Sequence, residues 1–190
     1  MSLMKSKNRF RQVGWIVCAV ALSTVIAHYD RILPHWWHSY TGADGTYSIE
    51  LPASPSVETL HVPIDGGGTR DVDFVSASPT SQTTYSCVTF KNDNAGNEST
   101  DDVLASARDG SLGKVQGTLI SEKKITVGGF PAIEFQAHAR GNSLLDSRIV
   151  ATGSHLFMIA AVATQPGDRE ARTVKRFLES FKILSAKENR

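Results

Sequence analysis

Acidic side chains are absent from the first 27 residues, and cysteine is nearly absent from the whole chain. Only Cys18 and Cys87 are present, and Cys18 lies inside an apolar run. The remainder therefore has one thiol and no internal disulfide, and a lone cysteine in a strand reads as a small buried hydrophobe. A nucleophile elbow of the form G-x-S-x-G is missing, and so is the phosphate loop G-x-x-x-x-G-K-[ST]. Gly66-Gly67-Gly68 is a glycine run with no helix pattern behind it, so it reads as a flexible hairpin end. These absences lead to an expectation of no catalytic residue, no cofactor-binding residue and no metal ligand. The chain is not expected to be an enzyme.

What the first residues do contain is a targeting pattern. Lys5, Lys7, Arg9 and Arg11 precede Val13 to Ala27, a run without charge. Basic flanks stay on the cytoplasmic side, so the rest of the chain is expected outside the membrane. The reading divides the chain into a basic cytoplasmic segment (1–12), a transmembrane anchor or signal peptide (13–29), a spacer (30–44) and one domain (45–190). Two outcomes fit residues 13–29. A peptidase can cut after Val25-Ile26-Ala27, before His28. Alternatively, the run stays as an anchor, with Trp36 and Trp37 near the outer headgroups, and this is the preferred reading. Residues 28–190 hold 16 bases and 19 acids, a net of −3. Phosphate contacts need a basic patch, which argues against nucleic acid as a partner.

A folded part of roughly 150 residues buries about 68–70% of its unfolded surface and needs no staple. Its organising stretch is Leu156 to Thr164, LFMIAAVAT, apolar on both faces when extended. Such a strand belongs at the centre of a sheet covered on both sides. Tyr47, Ile49 and Leu51 alternate with polar residues in a half-buried strand. Further strands are expected around Leu60 to Ile64, Asp71 to Ser76 and Thr83 to Lys91. Leu119 to Val127 reads as an edge strand in which Lys123-Lys124 discourage further pairing. Gly128-Gly129 and Gly141-Asn142 then join Phe130 to Arg140 and Ser143 to Thr152 into an antiparallel meander. Two helices interrupt the strands. Ser99 or Thr100 caps the first, with Asp101 and Asp102 at its positive end and Val103, Leu104, Ala107 and Ser111 inward. Ala171, Val174, Phe177, Leu178 and Phe181 form the apolar stripe of the second, over 168–181, with Arg169, Arg172, Lys175 and Arg176 outward.

The polar candidates read as structural. His35 and His38 share a helical spacing but have no carboxylate cluster beside them, so an interfacial aromatic patch explains them better than a metal. His61, Asp71 and Asp73 lie on neighbouring expected strands and can converge on a solvent face. His138 and His155 are single histidines, exposed or hydrogen-bonded.

Four phrases resemble the PsbP-like superfamily: Tyr47 to Pro52 (YSIELP), Gly128 to Phe135 (GGFPAIEF), Leu156 to Val162 (LFMIAAV) and Arg176 to Phe181 (RFLESF). The resemblance spans roughly 45–184. It implies an α+β fold, an α/β/α sandwich around a mainly antiparallel sheet, whose members are mostly accessory or binding proteins on membranes or larger assemblies. No residue of a family site is carried over. The expectation is a single-pass bacterial membrane protein with its domain in the periplasm, binding an envelope protein partner. The alternative is a secreted periplasmic protein that captures a small ligand or metal ion.

Overall fold

A computed structural model describes residues 36–63, 69–91, 98–164 and 168–184. The strands are β1 (His38–Thr41), β2 (Tyr47–Leu51), β3 (Ser56–Pro63), β4 (Thr69–Thr80) and β5 (Thr83–Lys91), followed by β6 (Thr118–Val127), β7 (Phe130–Ala139), β8 (Ser143–Ala151), β9 (His155–Thr164) and β10 (Lys182–Ile183). Helix α1 (Thr100–Val115) follows β5, and helix α2 (Asp168–Ser180) follows β9.

Seven strands form one sheet in the order β3-β4-β5-β9-β8-β7-β6, with every neighbouring pair antiparallel. The doubly apolar strand β9 occupies the centre, and its pleat divides the core. Leu156 and Met158 point to the α1 side with Val72, Phe74, Ile133 and Phe135. Phe157, Ile159 and Ala161 point to the other side with Val75, Tyr85, Phe177 and Phe181. On that second side α2 shares its layer with a small sheet, β1-β2-β10. The fold is α+β, with a helix on one face and a composite helix-and-sheet layer on the other.

Local signals explain most element ends. Ser99 caps α1, with its Oγ accepting from the Asp102 N–H at 3.2 Å. The helix runs through Gly110 and Gly113 and stops at Gln116, whose φ of 48° is left-handed. Gly128 and Gly129 both take positive φ between the paired residues Val127 and Phe130, as a two-residue hairpin loop of the favoured twist requires.

Three expectations need correction. Residues 38–41, read as spacer, form β1, because Tyr40 and Trp37 pack against the α2-side core. Ala171, assigned to the apolar stripe of α2, is exposed; the buried stripe begins one turn later at Val174. Strand β4 extends well beyond Asp71 to Ser76 at both ends, and its pairing with β5 shifts between Ala77 and Thr80. The glycine run 66–68, the tail 185–190 and the apolar segment 13–29 lie outside the described residues.

Candidate functional site: the groove between α2 and the small sheet

Helix α2 lays Val174, Phe177 and Leu178 on the large sheet, which turns its Arg172, Lys175, Arg176 and Glu179 toward solvent. The small sheet stands beside it, anchored by Tyr47. That ring stacks on Phe181 at 5.8 Å and meets Phe157 edge-on at 5.5 Å. Helix and sheet leave an open groove of about 480 Å³, floored by Ile49 and Ser180 and flanked by Ser39, Ser48, Arg172 and Lys182. Four bases (Arg172, Lys175, Arg176, Lys182) and two acids (Glu50, Glu179) line it, a local excess of positive charge on a domain of negative net charge.

Two of those bases are engaged. Arg176 donates from Nη2 to Glu50 Oε2 at 2.8 Å, and its guanidinium carbon sits 4.0 Å from the centroid of the Trp37 ring. Lys175 lies 3.9 Å from Glu179 one turn along the helix. Among the described residues, Arg172 and Lys182 pair with no carboxylate. The Glu50 N–H donates to Ser180 Oγ at 3.0 Å, tying β2 to the last turn of α2. Trp36, the residue before Trp37, is 75% exposed.

A second cleft, about 250 Å³, opens over β6, β7 and β8 beside Leu178. Its wall is an ion network that no sequence pattern singled out. Glu134 gives one carboxylate oxygen to Lys123 at 2.7 Å and the other to Arg148, which also donates from Nη1 to the Leu178 carbonyl at 2.7 Å. Arg148 therefore satisfies a carbonyl at the C-terminus of α2, where a cation suits the dipole. Burial pushes the Glu134 carboxyl up, but the hydrogen bonds from Lys123 and Arg148 outweigh it and hold it below its ordinary value. Burial pushes the neighbouring Asp146 carboxyl up, against a 2.8 Å hydrogen bond from Gln136 Nε2 and with help from the charge of Glu134. The signal for this network lay in the polar alternation of β7 and β8. The hairpin between them sets Glu134 opposite Arg148 and Gln136 opposite Asp146.

The histidine candidates are scattered. His61 faces Asp71 across β3 and β4, with Nδ1 and Oδ1 2.6 Å apart and both side chains 68% exposed. Asp73 stands on the same face two residues on, opposite Thr59. It lies near Tyr40, whose phenol is pushed up first by burial and then by the Asp73 charge. His38 lies in β1 opposite Leu51, so the helical spacing with His35 is not realised; His35 itself lies outside the described residues. His138 is exposed. His155 is held by Ser154 at Nδ1 (2.9 Å) and by Asp44 at Nε2 (3.4 Å), and stacks on Phe157. In a hydrolytic triad the acid takes the ring nitrogen that does not face the nucleophile, and the serine hydroxyl needs an oxyanion site beside it. Here Ser154 is adjacent in sequence to His155 in an exposed turn, and Asp44 also accepts from the Thr46 N–H at 3.0 Å. The trio links the β1–β2 turn to the β8–β9 turn. Among the described residues no three His, Cys, Asp or Glu side chains gather to hold a metal ion.

With that geometry in view, the chain can be set beside known proteins. No family model and no curated protein matches the sequence. Among solved structures it is similar to the cyanobacterial PsbP (CyanoP) of Synechocystis sp. PCC 6803, with a TM-score of 0.54 at 11% identity, covering 84% of this chain and 99% of that one. It overlays more loosely on LpqN of Mycobacterium tuberculosis, described as involved in cell envelope biogenesis (TM-score 0.40, 14% identity, 79% and 91% covered). A Pseudomonas aeruginosa protein described as a putative regulator gives a TM-score of 0.41 at 13% identity, with 75% and 91% covered. The similarity to the cyanobacterial protein extends over nearly all of that structure and establishes the fold. The fold is like that of the cyanobacterial PsbP, as the four sequence phrases implied.

Proposed function

We propose that the chain is a non-catalytic accessory domain of a bacterial envelope, tethered to the cytoplasmic membrane by residues 13–29, which binds a protein partner through the groove between α2 and the small sheet. The observation that carries this reading is the tryptophan pair joined to that groove through Arg176. Trp36 stands exposed, and Trp37 lies under Arg176. Tryptophan and arginine are the residues that most often dominate binding energy at protein interfaces. The groove beside them is open and lined mainly by charged and hydroxyl-bearing residues, suited to a peptide segment rather than to an enclosed small molecule.

Position supports the same reading. Tyr29 closes the proposed anchor, and seven residues later the chain reaches Trp36. Covalent geometry limits that separation to about 25 Å. A partner in or on the same membrane would then meet the groove at high effective concentration without new contacts.

Photocrosslinking from position 36 in intact cells, followed by purification from membranes, tests the proposal. A stoichiometric envelope protein joined at this position supports it. Recovery of the protein alone from the soluble periplasmic fraction, with a mature N-terminus near His28, would replace it with a diffusing ligand-binding protein.

A further inference from the structure

Building on the partner-binding reading, we infer that the segment this groove accepts is acidic, and that Arg172 and Lys182 are the residues that select it.

Charge and shape carry the inference. The domain is net negative, yet the groove concentrates four bases against two acids. The acids are already used. Glu50 binds Arg176, and Glu179 lies beside Lys175. That leaves Arg172 on α2 and Lys182 on β10, both lining the groove, each exposed and without a carboxylate among the described residues. Two cations that line one concavity from separate elements favour an extended chain that brings its own carboxylates. Ser39 and Ser48 offer hydroxyls to the polar groups of such a chain. A flat lipid headgroup layer fits this site less well, because Arg172 and Lys182 line a recess and Arg176 is already held by Glu50 and Trp37. Positive charge here also sets the orientation of approach, since the rest of the domain repels an acidic partner.

The test uses the full-length chain in neutral detergent and a fluorescent glutamate-rich peptide, read by anisotropy, with the glutamine version of the same peptide as control. The expected result is saturable binding of the acidic peptide that weakens with added salt. The paired reversal Arg172→Glu with Lys182→Glu should weaken binding by roughly tenfold or more. Reversal of a base outside the groove, Arg140→Glu, should leave it unchanged. Circular dichroism and melting of the variants should match the parent, because all three side chains are exposed. Equal binding of the glutamine peptide, or no effect of the paired reversal, would overturn the inference. So would binding to phosphatidylglycerol vesicles or to inorganic phosphate, abolished by the reversal, when the peptide does not bind.

Crosslinking from Ser39 separates the two levels. A partner joined there through a segment without acidic residues sinks the inference and leaves the accessory reading intact. Crosslinks that form only from faces remote from the groove sink both.

Discussion

Arg176 on α2 covers the ring of Trp37, the residue that leads into β1, with its guanidinium carbon 4.0 Å from the ring centroid. This contact joins α2 to the residue just before β1. The ring also packs on the α2-side core beside Tyr40 and Ile183. Replacing Trp37 with Ala removes both packing and the cation's seat, and should destabilise the domain by about 1–3 kcal/mol. Arg176→Ala should cost less, about 1 kcal/mol or below, since its ion pair is solvated. Chemical denaturation of the two variants and of the double variant measures the coupling; strict additivity would show that the contact contributes nothing.

Phe177 is fully buried and meets the Tyr85 ring edge-on at 5.1 Å. A charge there has no partner within the α2-side core. Phe177→Asp should unfold the domain, whereas Phe177→Leu should fold with a loss of about 1–2 kcal/mol. A Phe177→Asp protein that melted with the parent would show that α2 does not pack as described.

Glu134 and Asp146 lie two register steps apart across β7 and β8, and their carboxyls are shifted in opposite directions. The Glu134 carboxyl is held below its ordinary value, so its contribution is present above the unfolded value and lost as pH falls through the folded one. The Asp146 carboxyl is raised, so its contribution is complete below the unfolded value and lost as pH rises through the folded one. Glu134→Gln should therefore lower stability at neutral pH and flatten the acid limb of the stability curve. Asp146→Asn should raise stability at neutral pH, with the gain fading on acidification. Melting temperatures recorded across the acid range distinguish the two; a common sign at neutral pH would contradict this assignment.

Cys87 is wholly buried in β5, and burial pushes its thiol far above the range in which thiolate forms. In a Cys18→Ser background it should resist a thiol reagent under native conditions and react at the rate of global unfolding. Rapid labelling in buffer alone would show that β5 is open to solvent.

Gly42 packs against the Tyr47 ring so closely that an added Cβ would collide with Tyr47 Cε1. The ring cannot yield, because Phe157 and Phe181 hold its other sides. Gly42→Ala should therefore destabilise by about 1–3 kcal/mol, read from denaturant midpoints, because the residue is buried where the β1–β2 turn begins.

Much of the architecture was legible along the chain because it rests on local periodicity. The nine-residue stretch from Leu156, apolar on both faces, announced a central strand, and β9 is the middle strand of seven. The lysine pair at 123–124 announced an edge, and β6 is one. Strand β5 was read as a strand, but its burial on both faces was hidden by Thr83, Thr84, Ser86 and Thr89. Hydroxyl side chains look polar to a periodicity reading, yet they pack well once their neighbours are in place.

The candidate site was legible only in its parts. Arg172, Lys175 and Arg176 were assigned to the outer face of α2, which is where they lie. That β1, β2 and β10 stand beside that face follows from pairings between residues some 130 positions apart, such as Ser48 with Lys182. No local pattern encodes such a pairing. Side-chain sequence determined the strands, the two amphipathic helices and the charge of each face, because these depend on neighbours within a few residues. Tertiary structure alone decided which faces meet. It placed Arg148 under the end of α2 and Arg176 over Trp37, and it brought Arg172 and Lys182 to the lining of one groove. The reason is physical: ion pairs and grooves are relations between elements, and only the burial of two separate apolar faces on one sheet brings those elements together.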